Sequence, residues 1–87
     1  MLFRSVLYRS LLHIQNLFQQ GERRVQKLIE AGRSIIAEQS SVQLDYLEIV
    51  DPDTLDHTEE VSKTALVAVA AFVGSTRLID NIQLSPD

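Results

Sequence analysis

Nine consecutive residues, Ala65-Leu-Val-Ala-Val-Ala-Ala-Phe-Val73, carry no polar side chain and lie between Lys63 and Gly74. Water tolerates such a run only when the rest of the chain covers most of it, so it has to lie at the centre of a core. Periodicity alone does not separate a buried strand from a buried helix at this length, and the alanines favour helix. Val67, Val69, Phe72 and Val73 are strand formers, however, and Gly74-Ser75 is a turn signal. The reading is therefore a strand that turns and returns antiparallel as Arg77 to Leu84.

The rest of the chain has to supply what packs on this hairpin. Leu7, Leu11, Ile14 and Phe18 recur at helical spacing with Val6, Leu12 and Leu17 beside them, which predicts an amphipathic helix from Met1 to about Gln20. Gly21 provides a left-handed stop. No Ser, Thr, Asp or Asn precedes the pattern as a cap, which reads as a chain cut from something longer. The first 21 residues lack acidic groups, in the manner of a transit peptide, but serve better as a core helix. A second helix is predicted from Glu22 to Glu38, with Val25, Leu28, Ile29, Ile35 and Ile36 on one face and Glu22 in its first turn. Gly32, inside that pattern, costs about 1 kcal/mol relative to alanine and points to close packing on the first helix.

Val42, Leu44 and Tyr46 alternate as in a strand with one buried face, whereas Leu47 and Ile49 add apolar groups on the other. A central or doubly covered strand is expected from that pattern. Asp51-Pro-Asp-Thr54 is a turn. Leu55 to Val61 reads equally as a short polar strand or a loop, and Ser85-Pro-Asp87 as a polar tail.

Charge is divided unevenly along the chain. Residues 1–33 sum to +4 and residues 38–63 to −7, within a total of −4. The two halves attract each other within the fold or face different partners. The negative total argues against nucleic acid or an anionic membrane as partner. No stretch approaches a membrane span, since Arg4 and Arg9 interrupt the first apolar segment. With no cysteine there is neither a disulfide framework nor a thiolate metal site, in keeping with a cytoplasmic protein. Eighty-seven residues make one small domain.

Residues that carry chemistry are few. His13 and His57 have no second ligand at metal spacing. Asp51, Asp53, Asp56, Glu59 and Glu60 lack the central glycine of a calcium loop, and Pro52 breaks the pattern. The three glycines lie too far apart to cradle a phosphate. No catalytic, cofactor-binding or metal-binding residue is therefore assigned. One polar cluster, Arg77, Asp80 and Asn81, is attached to the apolar hairpin. Strand alternation puts Arg77 and Asn81 on one face with Ile79, and Asp80 on the other with Leu78 and Ile82. Two readings stay open for the cluster: a salt bridge with a turn-closing hydrogen bond, or a polar contact to a neighbouring domain or ligand.

Four segments together carry a resemblance. They are Val6-Leu-Tyr-Arg-Ser-Leu11, Phe18 with Gly21-Glu-Arg23, Asp45-Tyr-Leu-Glu-Ile-Val-Asp-Pro52, and Thr76-Arg-Leu-Ile-Asp-Asn81. In this order and spacing the chain resembles the carboxy-terminal domain of the pantothenate synthetase (pantoate–β-alanine ligase) family over residues 5 to 84. Ser75 stands where that family often has a second glycine, which leaves the turn type open.

The resemblance implies an ATP- and Mg²⁺-dependent enzyme that forms pantoyl adenylate from pantoate and then joins it to β-alanine, releasing AMP. It further implies that the binding groups, including a His-x-Gly-His motif, lie in a separate nucleotide-binding domain. No such motif occurs here, nor does the Ser/Arg loop that the family places ahead of the first helix, so no catalytic residue is carried over. What carries over is the role of a lid over the cleft of that amino-terminal domain, with Arg77 and Asn81 as candidate domain-interface residues. Some family members continue into a cytidylate kinase domain. The fragment itself is expected to bind no cofactor and to be inactive alone.

The expected fold is α+β: two antiparallel helices on a three-stranded, mostly antiparallel sheet. Residues 1–87 form a single lid domain of a longer enzyme, helical over residues 1–40 and sheet-forming over residues 42–84. The alternative is an autonomous, non-catalytic dimerisation module, and a homodimer is also left open as a partner of the lid.

Overall fold

A computed structural model of the chain describes residues 4–86. Helix α1 spans Arg4–Gln19 and α2 spans Val25–Ala37; strands β1, β2 and β3 span Val42–Val50, Ala65–Val73 and Thr76–Leu84. The strands form one antiparallel sheet in the order β1-β2-β3. Both helices lie on one face of it, and the fold is α+β as the pattern predicts. The expectation that the first helix starts at Met1 falls outside the described residues.

The core is the layer between helices and sheet. Val6, Leu7, Leu11, Ile14 and Phe18 of α1 meet Val25, Leu28 and Ile36 of α2 over the inward row Ala65, Val67, Val69 and Ala71 of β2. Ser10 is also fully buried, and its hydroxyl donates to the Leu7 carbonyl at 2.7 Å, which satisfies it within the helix. Gly32 has the close approach expected of it: a Cβ there would lie 2.7 Å from Ile14 Cδ1 and 2.8 Å from Leu47 Cδ2.

Two expectations need correction. The second helix starts at Val25, so Glu22 is not in its first turn. Glu22 Oε2 instead accepts the backbone N–H groups of Arg23 and Arg24 and stands 3.4 Å from the Arg24 guanidinium. The Arg24 amide, above all, holds this carboxyl below its usual value.

β1 is an edge strand, not a central one. Its two-faced apolar pattern comes from a bulge, because Leu44 pairs with Ala71 and Tyr46 with Ala70, leaving Asp45 without a partner across the ladder. The extra residue shifts the alternation by one. Leu44 before it and Leu47 and Ile49 after it thus pack on the same core.

The segment 55–61 is a loop, tied down at two places. His57 bridges Val50, and Glu60 bridges Arg24 through Val25 N–H to Glu59 C=O and Val61 N–H to Arg23 C=O. Val61 is thereby inserted into the core. The predicted turn after β1 is present: Asp51 Oδ1 accepts the amides of Asp53 and Thr54, and Leu55 follows with φ 62°.

Candidate domain-docking face

The hairpin Gly74-Ser75 sets the register of β2 and β3, and with it the composition of the sheet's outer face. Gly74 has φ 61° and Ser75 does not enter the left-handed region, the sign pattern of a type II′ turn. Glycine is required only at the first position, so a serine at the second is accommodated. From Val73↔Thr76 onward the pairing runs without a shift to Ala65↔Leu84. Leu66, Ala68, Ala70 and Phe72 of β2 therefore face away from the helices, flanked by Arg77, Ile79, Asn81 and Gln83 of β3. On β1 the outward residues are Gln43, Tyr46, Glu48 and Val50.

Arg77 and Asn81 share this face with Ile79, and Asp80 lies on the inner side, as strand alternation predicts. Arg77 reaches across Phe72 to the unpaired Asp45, with Nη2 and Nε at 3.0 and 3.2 Å from Oδ2. Its guanidinium carbon also lies 5.7 Å from the Tyr46 ring centroid. Asp45 completes this contact and is not singled out by the sequence, because a bulge leaves no signature in an alternating pattern. Asn81 lies opposite Ala68, and its side-chain amide has no hydrogen-bond partner among the described residues. Asp80 stands apart from Arg77 and accepts the Asn81 backbone N–H at 2.8 Å. The structure thus splits the predicted polar cluster: Arg77 and Asn81 remain on one surface, and Asp80 belongs to the strand's rim.

The face combines apolar surface with fixed polar groups. Ile79 is 63% exposed, and β2 contributes no polar side chain to it. His57 stands at its margin, 3.9 Å from Glu48. A concavity between the start of α2 and the loop 57–62 is lined by Arg24, Lys27, His57, Glu59 and Glu60. Sequence reasoning does not anticipate it, since the two segments lie far apart in sequence and meet through the Arg24–Glu60 bridge. The other histidine, His13, lies partly buried on α1. Among the described residues no three His, Cys, Asp or Glu side chains converge as metal ligands would.

A two-layer α+β domain with one open sheet face is the class of structure these elements define. The chain belongs to the pantoate–β-alanine ligase family, whose model matches residues 4–83. It is 54% identical over 79 residues to the pantothenate synthetase of Koribacter versatilis, covering 91% of this chain and 27% of that protein. The bifunctional pantoate ligase/cytidylate kinase of Synechocystis is 44% identical over 84 residues, covering 93% of this chain and 16% of that protein. Among solved structures, the pantothenate synthetase of Thermus thermophilus superimposes with a TM-score of 0.86 at 34% identity, over 93% of this chain and 29% of that one. The chain thus spans under a third of the pantothenate synthetases it matches, and the region it resembles is their carboxy-terminal one.

Proposed function

We propose that this chain is the lid domain of a pantoate–β-alanine ligase and that the outer face of its sheet is the surface turned toward the nucleotide-binding domain. The observation that carries this reading is the outward row of β2. An antiparallel sheet that faces water on one side alternates apolar with polar residues. Here Leu66, Ala68, Ala70 and Phe72 are all apolar on the helix-free side. The neighbouring strands behave differently, placing Arg77, Asn81, Gln83 and Glu48 on that side. An apolar strip rimmed by polar groups is the composition of a surface that another body covers.

In the whole enzyme, ATP, Mg²⁺ and pantoate are held by the other domain. Pantoate carboxylate displaces pyrophosphate at the α-phosphate to give pantoyl adenylate, and the β-alanine amine then displaces AMP. An acyl adenylate is readily lost to water, and closure of a lid protects it. Arg77, held in place by Asp45, and Asn81, whose amide is free to bond, are the lid's contacts to that domain. Residues 1–87 act as one unit in this role, in the cytoplasm, and are inactive alone.

The test measures AMP release from ATP, Mg²⁺, pantoate and β-alanine. The chain is assayed alone, with the separately expressed nucleotide-binding domain, and within the two-domain protein carrying Arg77→Ala. Silence alone, activity on mixing, and a loss of about tenfold or more for Arg77→Ala are expected, the size of one charged contact. Activity of the chain by itself would overturn the reading. An Arg77→Ala enzyme that ligates at the unaltered rate would remove Arg77 from the interface.

A further inference from the structure

The rim of β3 presents a different chemistry from either face of the sheet. Val73 and Thr76 close a two-residue turn, which makes them a hydrogen-bonded pair, and the pattern alternates from there. Thr76, Leu78, Asp80, Ile82 and Leu84 direct their backbone groups to β2. Arg77, Ile79, Asn81 and Gln83 direct theirs to the open edge, where no further strand meets them among the described residues. The opposite edge is interrupted at Asp45 and overlaid at its end by the Val50–His57 bridge. β3 has no bulge, no proline and no lysine, the usual devices that keep an edge from templating a further strand.

One edge amide is nevertheless occupied. Asp80 Oδ1 takes the Asn81 N–H at 2.8 Å, so the carboxylate reaches from the inner side over the rim of its own strand. We propose that Asp80 guards this edge: by holding the Asn81 amide it prevents the β3 strand of a second copy of this chain from pairing antiparallel with it.

A second copy is the occupant that the strand's own sequence fits. A two-fold axis at Ile79 sets Ile79 opposite Ile79 and Arg77 opposite Asn81, both as hydrogen-bonding pairs. That register covers an isoleucine that is 63% exposed and places Leu78 against Asp80. Centring the axis on Asp80 would instead oppose two carboxylates, which is repulsive. In the Ile79 register the Asn81 N–H has to donate to the Arg77 carbonyl of the second copy. That amide is the one Asp80 occupies. The inference is independent of the ligase reading, since it concerns the strand rim and not the docking face.

The experiment compares this chain with Asp80→Val, a strand former without an acceptor. Asp80→Asn, which keeps an oxygen and loses the charge, separates hydrogen bonding from repulsion. Sedimentation measures self-association, and amide exchange by NMR reads each position. In the dilute wild-type chain the Asn81 amide should exchange more slowly than those of Arg77, Ile79 and Gln83. In Asp80→Val that protection should vanish on dilution, and self-association should tighten by about tenfold or more, with Arg77, Ile79 and Asn81 becoming protected together. Asp80→Asn should stay near wild type. Adding Ile79→Pro to Asp80→Val should abolish association, because the Ile79 N–H faces outward and its loss spares the β2 ladder. An Asn81 amide equally protected in dilute Asp80→Val, a monomeric Asp80→Val at high concentration, or association that survives Ile79→Pro would each overturn the proposal.

Discussion

Asp51 shows how much one side chain organises at the end of β1. Its Oδ1 accepts the amides of Asp53 at 2.8 Å and Thr54 at 3.1 Å, and Lys63 Nζ stands 3.0 Å from its Oδ2. The Asp53 amide first, then Lys63 and the Thr54 amide, hold the carboxyl below its ordinary value of 3.8. A carboxyl lowered on folding contributes stability at pH values above its unfolded value and loses it as the pH falls through the folded one. Asp51→Asn keeps an acceptor for the turn amides but gives up the charge. The variant should therefore have a lower urea midpoint than wild type at pH 7, and the difference should close progressively below about pH 4. A gap that persists unchanged at pH 3 would show that the turn does not depend on the ionised form. Asp51 is legible as a turn residue because its neighbours are Pro52, Asp53 and Thr54. Its partner Lys63, across the loop, is not, since local spacing says nothing about where a long connection returns.

At the level of elements, Gly32 is a point where side chains of α1 and β1 both crowd against α2. Alanine there gains about 1 kcal/mol of helix propensity but inserts a methyl group against two side chains at once. Ile14 is fully buried and Leu47 nearly so, and they approach from a helix and from a strand, which leaves the new atom no single direction of relief. Overpacking of this kind costs about 1–3 kcal/mol, so the net effect of Gly32→Ala should be destabilising by about 1 kcal/mol. Chemical denaturation measures it directly. A stabilised variant would mean that the helices part easily at this point, and with it that the core layer is softer than its burial implies. Both helices and the hairpin are readable because each repeats its period for several turns or residues. β1 misleads because Asp45 shifts the period once in mid-strand: Leu44 and Leu47, three apart, lie on one side only if a residue is looped out between them. The inserted Val61 escapes notice for a related reason. Its anchor is the backbone of Arg23, far away in sequence.

For the whole molecule, the decisive asymmetry is that the helices cover one side of the sheet and leave the other bare. Inside, the chain closes a core from every element; outside, the middle strand offers half-buried Leu66, Ala68 and Phe72, while Ala70 on the same side is fully buried. Ala68 lies at the centre of that row, opposite Glu48 on one side and Asn81 on the other. An arginine at this position projects away from the core with Glu48 beside it. In the 87-residue chain Ala68→Arg should change folding stability by no more than about 0.5 kcal/mol, as for other outward substitutions. In a two-domain ligase the same substitution would force a charge into the covered interface, or hold the domains apart. Ligation should then fall by about tenfold or more while the domain remains folded. Steady-state AMP release, read beside the denaturation curve of the isolated chain, separates the two effects. Full ligase activity with Ala68→Arg would mean that the apolar strip faces water and that closure uses another surface. The groove beside α2, where Arg24 and Lys27 face Glu59 and Glu60, would be the next one to probe.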